Sequence, residues 1–447
     1  MPKAASAGRG YGRGAAILSV GIGATGLITF AYFSLASHSL SEDEYGGVAL
    51  LWSAIFITVS VLYRPVEQLL SRTIADRDAR GVTGSEHLRV AATIQLALGA
   101  LFAVAALVFR APLEDDLLDG SATLYWILIV AVLAYAASYF ARGFLAGNRR
   151  FPLYGGLVLL ESVSRFLFAL AVTVGVAEGQ AAVALGMAAA PIVSLTVLAP
   201  ALARQLTRRD RPPPPAPAPA DPEGPAAPEA PGEPEFTLSH GSGFALAVLA
   251  IMLAEQTFLN AGPLLVRATE GDRGAALAGF AFNVLLLARA PLVLFQAVQT
   301  SILPHLTRLW VGAGGAAEGD VDPFRRSVNL TLAAIGLFAG SVALVMAAAG
   351  PQLMGIVFGG NFDYDRGGLV LVALAMGLYL SAATVNQALL AQGRAPQAAA
   401  CWVGSAAAFV AFLLVSPVND AVLSVEVGLL GGAAALCALL LTLYRRA

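Results

Sequence analysis

The chain has 447 residues, 57% of them hydrophobic and only 13% charged, with a formal net charge of −2 and a mean hydropathy of +0.74. Soluble domains carry roughly 25% charged residues, so a soluble globular protein is excluded, and the near-neutral charge lacks the basic footprint of a nucleic-acid binder. The composition is that of an all-α integral membrane protein.

About 20 helical residues cross the hydrocarbon core of a bilayer, and apolar runs of that length recur along nearly the whole chain. They predict twelve spans: 15–37, 46–72, 88–110, 123–145, 153–176, 181–203, 241–266, 275–303, 324–348, 366–391, 397–415 and 421–443. The opening "MPKAASAGRGYGR" imitates a signal peptide, but the apolar run behind it is too long for an h-region and shows no small-residue cleavage site, so it is read as the first helix.

The second span contains "VLYRPVEQLL" at 61–70, where Arg64, Pro65 and Glu67 interrupt an apolar run. A charge at mid-bilayer costs at least ~2.5–3.5 kcal/mol, so these two need a reason, and Pro65 removes a backbone hydrogen bond and predicts a kink. In the fifth span Glu161 and Arg165 are four residues apart and are expected to neutralise each other on one helix face. Gly143 and Gly147, Gly336 and Gly340, and Gly428 and Gly432 have the small-xxx-small spacing of close helix packing.

Between spans six and seven lies "RPPPPAPAPADPEGPAAPEAPGEPEF" at 211–236, a proline-rich, apolar-poor tether. It divides the chain into a six-helix lobe at 1–210, a linker at 211–240 and a second six-helix lobe at 241–447. Offset by about 230 residues, "EYGGVALLWS" (44–53) aligns with "LAGFAFNVLL" (277–286), each opening the second helix of its half. Equal helix number and like orientation argue for a duplicated bundle with its working site between the halves.

In the second half, Glu255 and Arg289 have no opposite charge one turn away and fall near mid-span, so they must reach across helices or face water. Asn260, Asn283, Gln296 and Gln299 add polar groups to the same two helices. The expected site is a hydrated cavity with Arg64 and Arg289 as its cations and Glu67 and Glu255 as its anions, suited to an anionic, hydroxylated cargo.

Basic residues collect in alternate loops, which puts both termini and the tether on the cytoplasmic side. Cysteines at Ser121, Gly271 and Asp363 are therefore expected to react with an impermeant maleimide added to intact cells, and a cysteine at Gly224 only after permeabilisation; surface labelling at Gly224 would invert the orientation. Enzymatic chemistry is not expected: there is no P-loop, no Ser/His or Cys/His arrangement, and no extended outer loop to carry a catalytic site. Neither the histidines nor Cys401 and Cys437 have metal-ligand spacing, and no cofactor is expected.

The run "SLSEDEYGGVALLWS" (39–53) resembles the first loop of bacterial polysaccharide (O-antigen type) flippases, of the multidrug/oligosaccharidyl-lipid/polysaccharide exporter superfamily. Similar in kind are "GNRRFPLYGGLVLLESVSRF" (147–166), "SILPHLTRL" (301–309), "VFGGNFD" (357–363) and "NQALLAQGR" (386–394). The resemblance implies two six-helix lobes around a central cavity and alternating access across the cytoplasmic membrane. It also implies an undecaprenyl-diphosphate-linked oligosaccharide as cargo, with membrane lipid around its tail and a proton or sodium ion as coupling partner. Alternatives in view are a lipid II flippase, a cation-coupled multidrug antiporter with Glu255 as the coupling carboxylate, and a non-transporting scaffold for envelope synthesis.

Overall fold

The structure is a computed structural model and describes residues 21, 23–79, 84–209, 238–287, 323–360 and 364–446. The described residues are helical almost throughout. Helix α1 covers 23–39; α2 is Glu42–Leu62, α3 Arg64–Ala79, α4 Glu86–Val108, α5 Ala122–Gly147, α6 Phe151–Thr173 and α7 Gly179–Arg209. The second half has α8 at Leu238–Thr269, α9 at Gly274–Leu287, α10 at Pro323–Phe358, α11 at Arg366–Ala391, α12 at Ala395–Val415 and α13 at Ala421–Arg445.

Ten helices among the described residues are long and apolar enough to cross a membrane, α2 and α3 together forming one of them at Glu42–Asp78. With α1 and α9, each of which reaches the edge of the described residues, the order is six spans and then six. Leu27, Leu96, Leu330, Leu337, Leu344 and Ile356 each expose more than 70% of their surface. A ring of bare aliphatic side chains on this scale needs lipid as its solvent, and the chain is a multi-pass membrane protein.

Local chemistry explains the boundaries. Ser41 caps α2 in a reciprocal capping box with Glu44, Ser121 caps α5, and Asp365 and Asp420 cap α11 and α13. The expected kink is present: the second span breaks at Tyr63, and α3 restarts with Pro65 in its first turn, where a missing N–H costs nothing. The ninth span runs ten residues beyond its expected end, to Phe358, because Pro351 is accommodated inside α10 instead of ending it.

In the first lobe α3 packs on α5, α5 on α7 and α6 on α7; in the second α8 packs on α12, α10 on α11, and α11 and α12 on α13. Gly143 and Gly147 line the α3–α5 crossing. A Cβ at Gly143 would stand 2.8 Å from the Glu67 carbonyl, and one at Gly147 2.7 Å from Ile74 Cβ. Gly428 and Gly432 meet Phe412 and Phe258 in the same manner, whereas a Cβ at Gly336 or Gly340 meets no atom within 4 Å among the described residues.

The lobes meet mainly along α2 and α8. At the Arg-poor end of the bundle, where α1 turns into α2 and α8 into α9, the interface is tight. Phe33 packs on Phe282 with centroids 4.6 Å apart, Phe30 on Phe358 at 5.5 Å, and Ser34 donates to the Val357 carbonyl at 2.5 Å. Arg267 pairs with Asp119 across the lobes at 2.8 Å. Gly46 and Gly279, the positions that the internal repeat aligns, touch: a Cβ on Gly279 would lie 3.2 Å from Gly46 Cα. Equivalent residues meet on a two-fold axis, so this contact supports the duplication.

Candidate functional site

Halfway along the first lobe the polar side chains of three helices converge. On α5, Tyr135, Ser138, Tyr139 and Arg142 recur at helical spacing and form one stripe; on α6, Tyr154, Glu161, Ser162 and Arg165 form the facing stripe. The kinked start of α3 contributes Arg64 and Glu67.

Glu161 is fully buried and locked. Arg142 forms an ion pair with one carboxylate oxygen, and Ser138 donates to the other at 2.5 Å. Arg165 donates to the Tyr135 hydroxyl at 2.6 Å and to Ser162 at 3.0 Å, and its guanidinium lies 5.2 Å from the Trp52 ring centroid and 5.8 Å from that of Phe56. The expected Glu161–Arg165 pair is therefore not formed. An exposed i,i+4 pair is worth only about 0.3–0.5 kcal/mol, and a charge-assisted contact to α5 with Ser138 as second donor outweighs it. Arg142, five residues before the end of α5, turns inward and lies over the Tyr139 ring, 4.6 Å from its centroid.

Arg64 and Glu67 are only partly buried and do not form an ion pair with each other among the described residues. Glu67 accepts from the Tyr154 hydroxyl at 2.9 Å. Glu255 of α8 lies within electrostatic reach of Arg64, so a carboxylate of the other lobe faces it as well as Glu67. Arg64, Glu67 and Glu255 each keep accessible surface. Three cations, Arg64, Arg142 and Arg165, face the three anions Glu67, Glu161 and Glu255. Without Glu255 the first lobe holds one cation in excess.

The two expected asparagines sit elsewhere. Asn260 is buried against Gln256 one turn away, which accepts from its amide at 3.0 Å. Asn283 is fully buried at the Arg-poor end, where it accepts from the Tyr45 hydroxyl and donates to the Tyr364 hydroxyl at 2.9 Å. In this conformation both are packed side chains and do not line an open cavity. Arg289, Gln296 and Gln299 lie outside the described residues, as do Pro291, Pro304 and the proline-rich tether.

Sequence reasoning missed Arg142, Ser138, Tyr135, Tyr139 and Tyr154. The signal was present as a polar and aromatic stripe at i, i+3, i+4 and i+7 on α5, a pattern that a lipid-facing helix does not sustain.

No family model and no curated protein matches the chain. Solved structures do. The inward-facing conformation of a multidrug resistance MATE family transporter of the MOP superfamily is 14% identical, covers 96% of this chain and 93% of its own, and superposes with a TM-score of 0.63. A point mutant of the Vibrio cholerae MATE transporter VcmN is 15% identical over 98% and 97% of the two chains, with a TM-score of 0.61. The outward-facing conformation of a multidrug resistance MATE family transporter reaches 0.54 at 14% identity over 97% and 94%. The likeness establishes a shared fold of twelve helices in two lobes, and the inward-facing form is the better fit of the two.

Proposed function

We propose that this protein is an alternating-access carrier in the cytoplasmic membrane that translocates an undecaprenyl-diphosphate-linked oligosaccharide for cell-surface polysaccharide synthesis. The observation that carries this reading is Arg64: a cation at the kink of the second span, with accessible surface and a carboxylate of the opposite lobe, Glu255, within electrostatic reach. Such a guanidinium is free to exchange Glu255 for a diphosphate, which it matches bidentately. Arg289 adds a second cation in this reading, with Gln296 and Gln299 toward the sugars. The flippase-like segments and the MATE-like fold support the same class. The lobes are 1–210 and 241–447, joined by a passive linker at 211–240, and the protein does no enzymatic chemistry.

A second reading, a cation-coupled multidrug antiporter, is favoured by the accessible carboxylates Glu67 and Glu255 and by the multidrug transporters that share the fold. Proteoliposomes separate the two. A fluorescent undecaprenyl-diphosphate oligosaccharide is expected to cross the bilayer in a protein-dependent manner, and a cationic dye is not. Dye movement driven by a proton or sodium gradient, with a static lipid, would establish the antiporter instead.

A further inference from the structure

The Arg-poor end carries a device that the cargo site does not use. Tyr45, Asn283 and Tyr364 form a chain of hydrogen bonds from α2 through α9 to the segment before α11, so one relay ties the first lobe to the second and braces the second lobe internally. One residue further on, Gly46 faces α9 so closely that a Cβ there would overlap the Ala275 carbonyl, and its repeat partner Gly279 faces Tyr45 and Gly46 in return. The atoms nearest to Gly46 all belong to the other lobe. Extra volume at this position therefore opposes the contact between lobes and leaves the packing of its own lobe alone. All three relay members are buried, and burial raises the Tyr364 phenol above its ordinary value, so the relay is neutral across the physiological range.

We infer that the glycine pair Gly46 and Gly279, sealed by the Tyr45–Asn283–Tyr364 relay, is the gate at the Arg-poor end, and that side-chain volume at position 46 sets the balance between its closed and open states. The inference rests on the alternating-access reading. Gly46 and Gly279 form a knuckle that only two backbones without Cβ atoms close. The relay makes the closed state specific, because opening withdraws the Tyr45 hydroxyl and leaves the Asn283 carbonyl oxygen without its donor, while the bond to Tyr364 stays within the second lobe. The Arg267–Asp119 pair lies at the rim, with Asp119 largely exposed, and contributes less.

The test uses the full-length protein with Cys401 and Cys437 replaced by Ala and one reporter, Ala278→Cys, which is fully buried on the α9 face toward the first lobe. The readout is the rate of reaction with an impermeant maleimide supplied to the Arg-poor side of the membrane. Tyr45→Phe is expected to raise the rate about three- to tenfold, the worth of one hydrogen bond. Gly46→Ala and Gly46→Val should raise it more, in that order, while Gly336→Ala, which meets no neighbour among the described residues, leaves it unchanged. Measurable labelling in the parent that neither Tyr45→Phe nor Gly46→Ala accelerates would overturn the gate and leave alternating access standing. Labelling no faster than global unfolding in every variant would overturn both.

Discussion

Arg142→Gln is expected to lower the free energy of unfolding in mixed micelles by about 3–5 kcal/mol, the cost of stranding a buried partner of opposite charge. The stranded group is Glu161, whose side chain exposes 2% of its surface and would retain only the Ser138 hydroxyl. The double change Arg142→Gln with Glu161→Gln removes both charges and their desolvation together, and is expected to recover most of the loss. The coupling energy in the cycle then approaches the single-site losses. Glu161→Gln with Arg165→Gln is expected to be as damaging as Glu161→Gln alone or more so, because it leaves Arg142 without its anion and removes the Arg165 bonds to Tyr135 and Ser162. A mild outcome for that second pair, with a severe one for the first double change, would mean that Glu161 is neutralised along its own helix.

Arg64→Gln is expected to abolish translocation of the lipid-linked oligosaccharide while the protein still inserts and remains monodisperse. Two charge-assisted hydrogen bonds to a diphosphate are each worth roughly 1.5–3 kcal/mol, and 1.36 kcal/mol is tenfold in rate, so the initial rate should fall by about 100-fold or more. Arg64→Lys should keep part of the activity, since an ammonium retains the charge and loses the fork. Arg64→Gln with Glu67→Gln should be as inactive as Arg64→Gln alone, because Glu67 accepts from Tyr154 and forms no ion pair with Arg64 among the described residues. Arg289→Gln is expected to follow Arg64→Gln. Normal transport by both single arginine variants would refute the cationic site and reduce "VLYRPVEQLL" to a kinked packing segment.

The contrast between these two arginines shows where reading a sequence succeeds. Arg64 stands in an apolar run beside a proline, and its cost in lipid marks it without knowledge of any neighbour. Arg142 stands five residues before the end of α5, near Arg149 and Arg150, where a basic residue normally marks the membrane surface. Only the packing of α5 on α6 shows that it points inward. The stripe formed by Tyr135, Ser138, Tyr139 and Arg142 carried that information as a period, which a search for charges alone passes over.

The sequence by itself determined the number and order of the spans and the kink at Pro65, and argued for a repeat between the halves. These follow from local quantities: the transfer free energy of about 20 residues into lipid, a missing N–H at proline, and the repetition of a pattern. Tertiary structure decided the partners. Glu161 takes Arg142 over Arg165 because the gain between two buried helices exceeds that of a neighbour on the same face. Asn283 serves a relay at the Arg-poor end because its two amide atoms fall between tyrosines from different segments. The glycines divide in the same way: Gly143 and Gly147 line a crossing, while Gly336 and Gly340 meet nothing within 4 Å among the described residues. Spacing states which residues share a helix face, and only the fold states what that face meets.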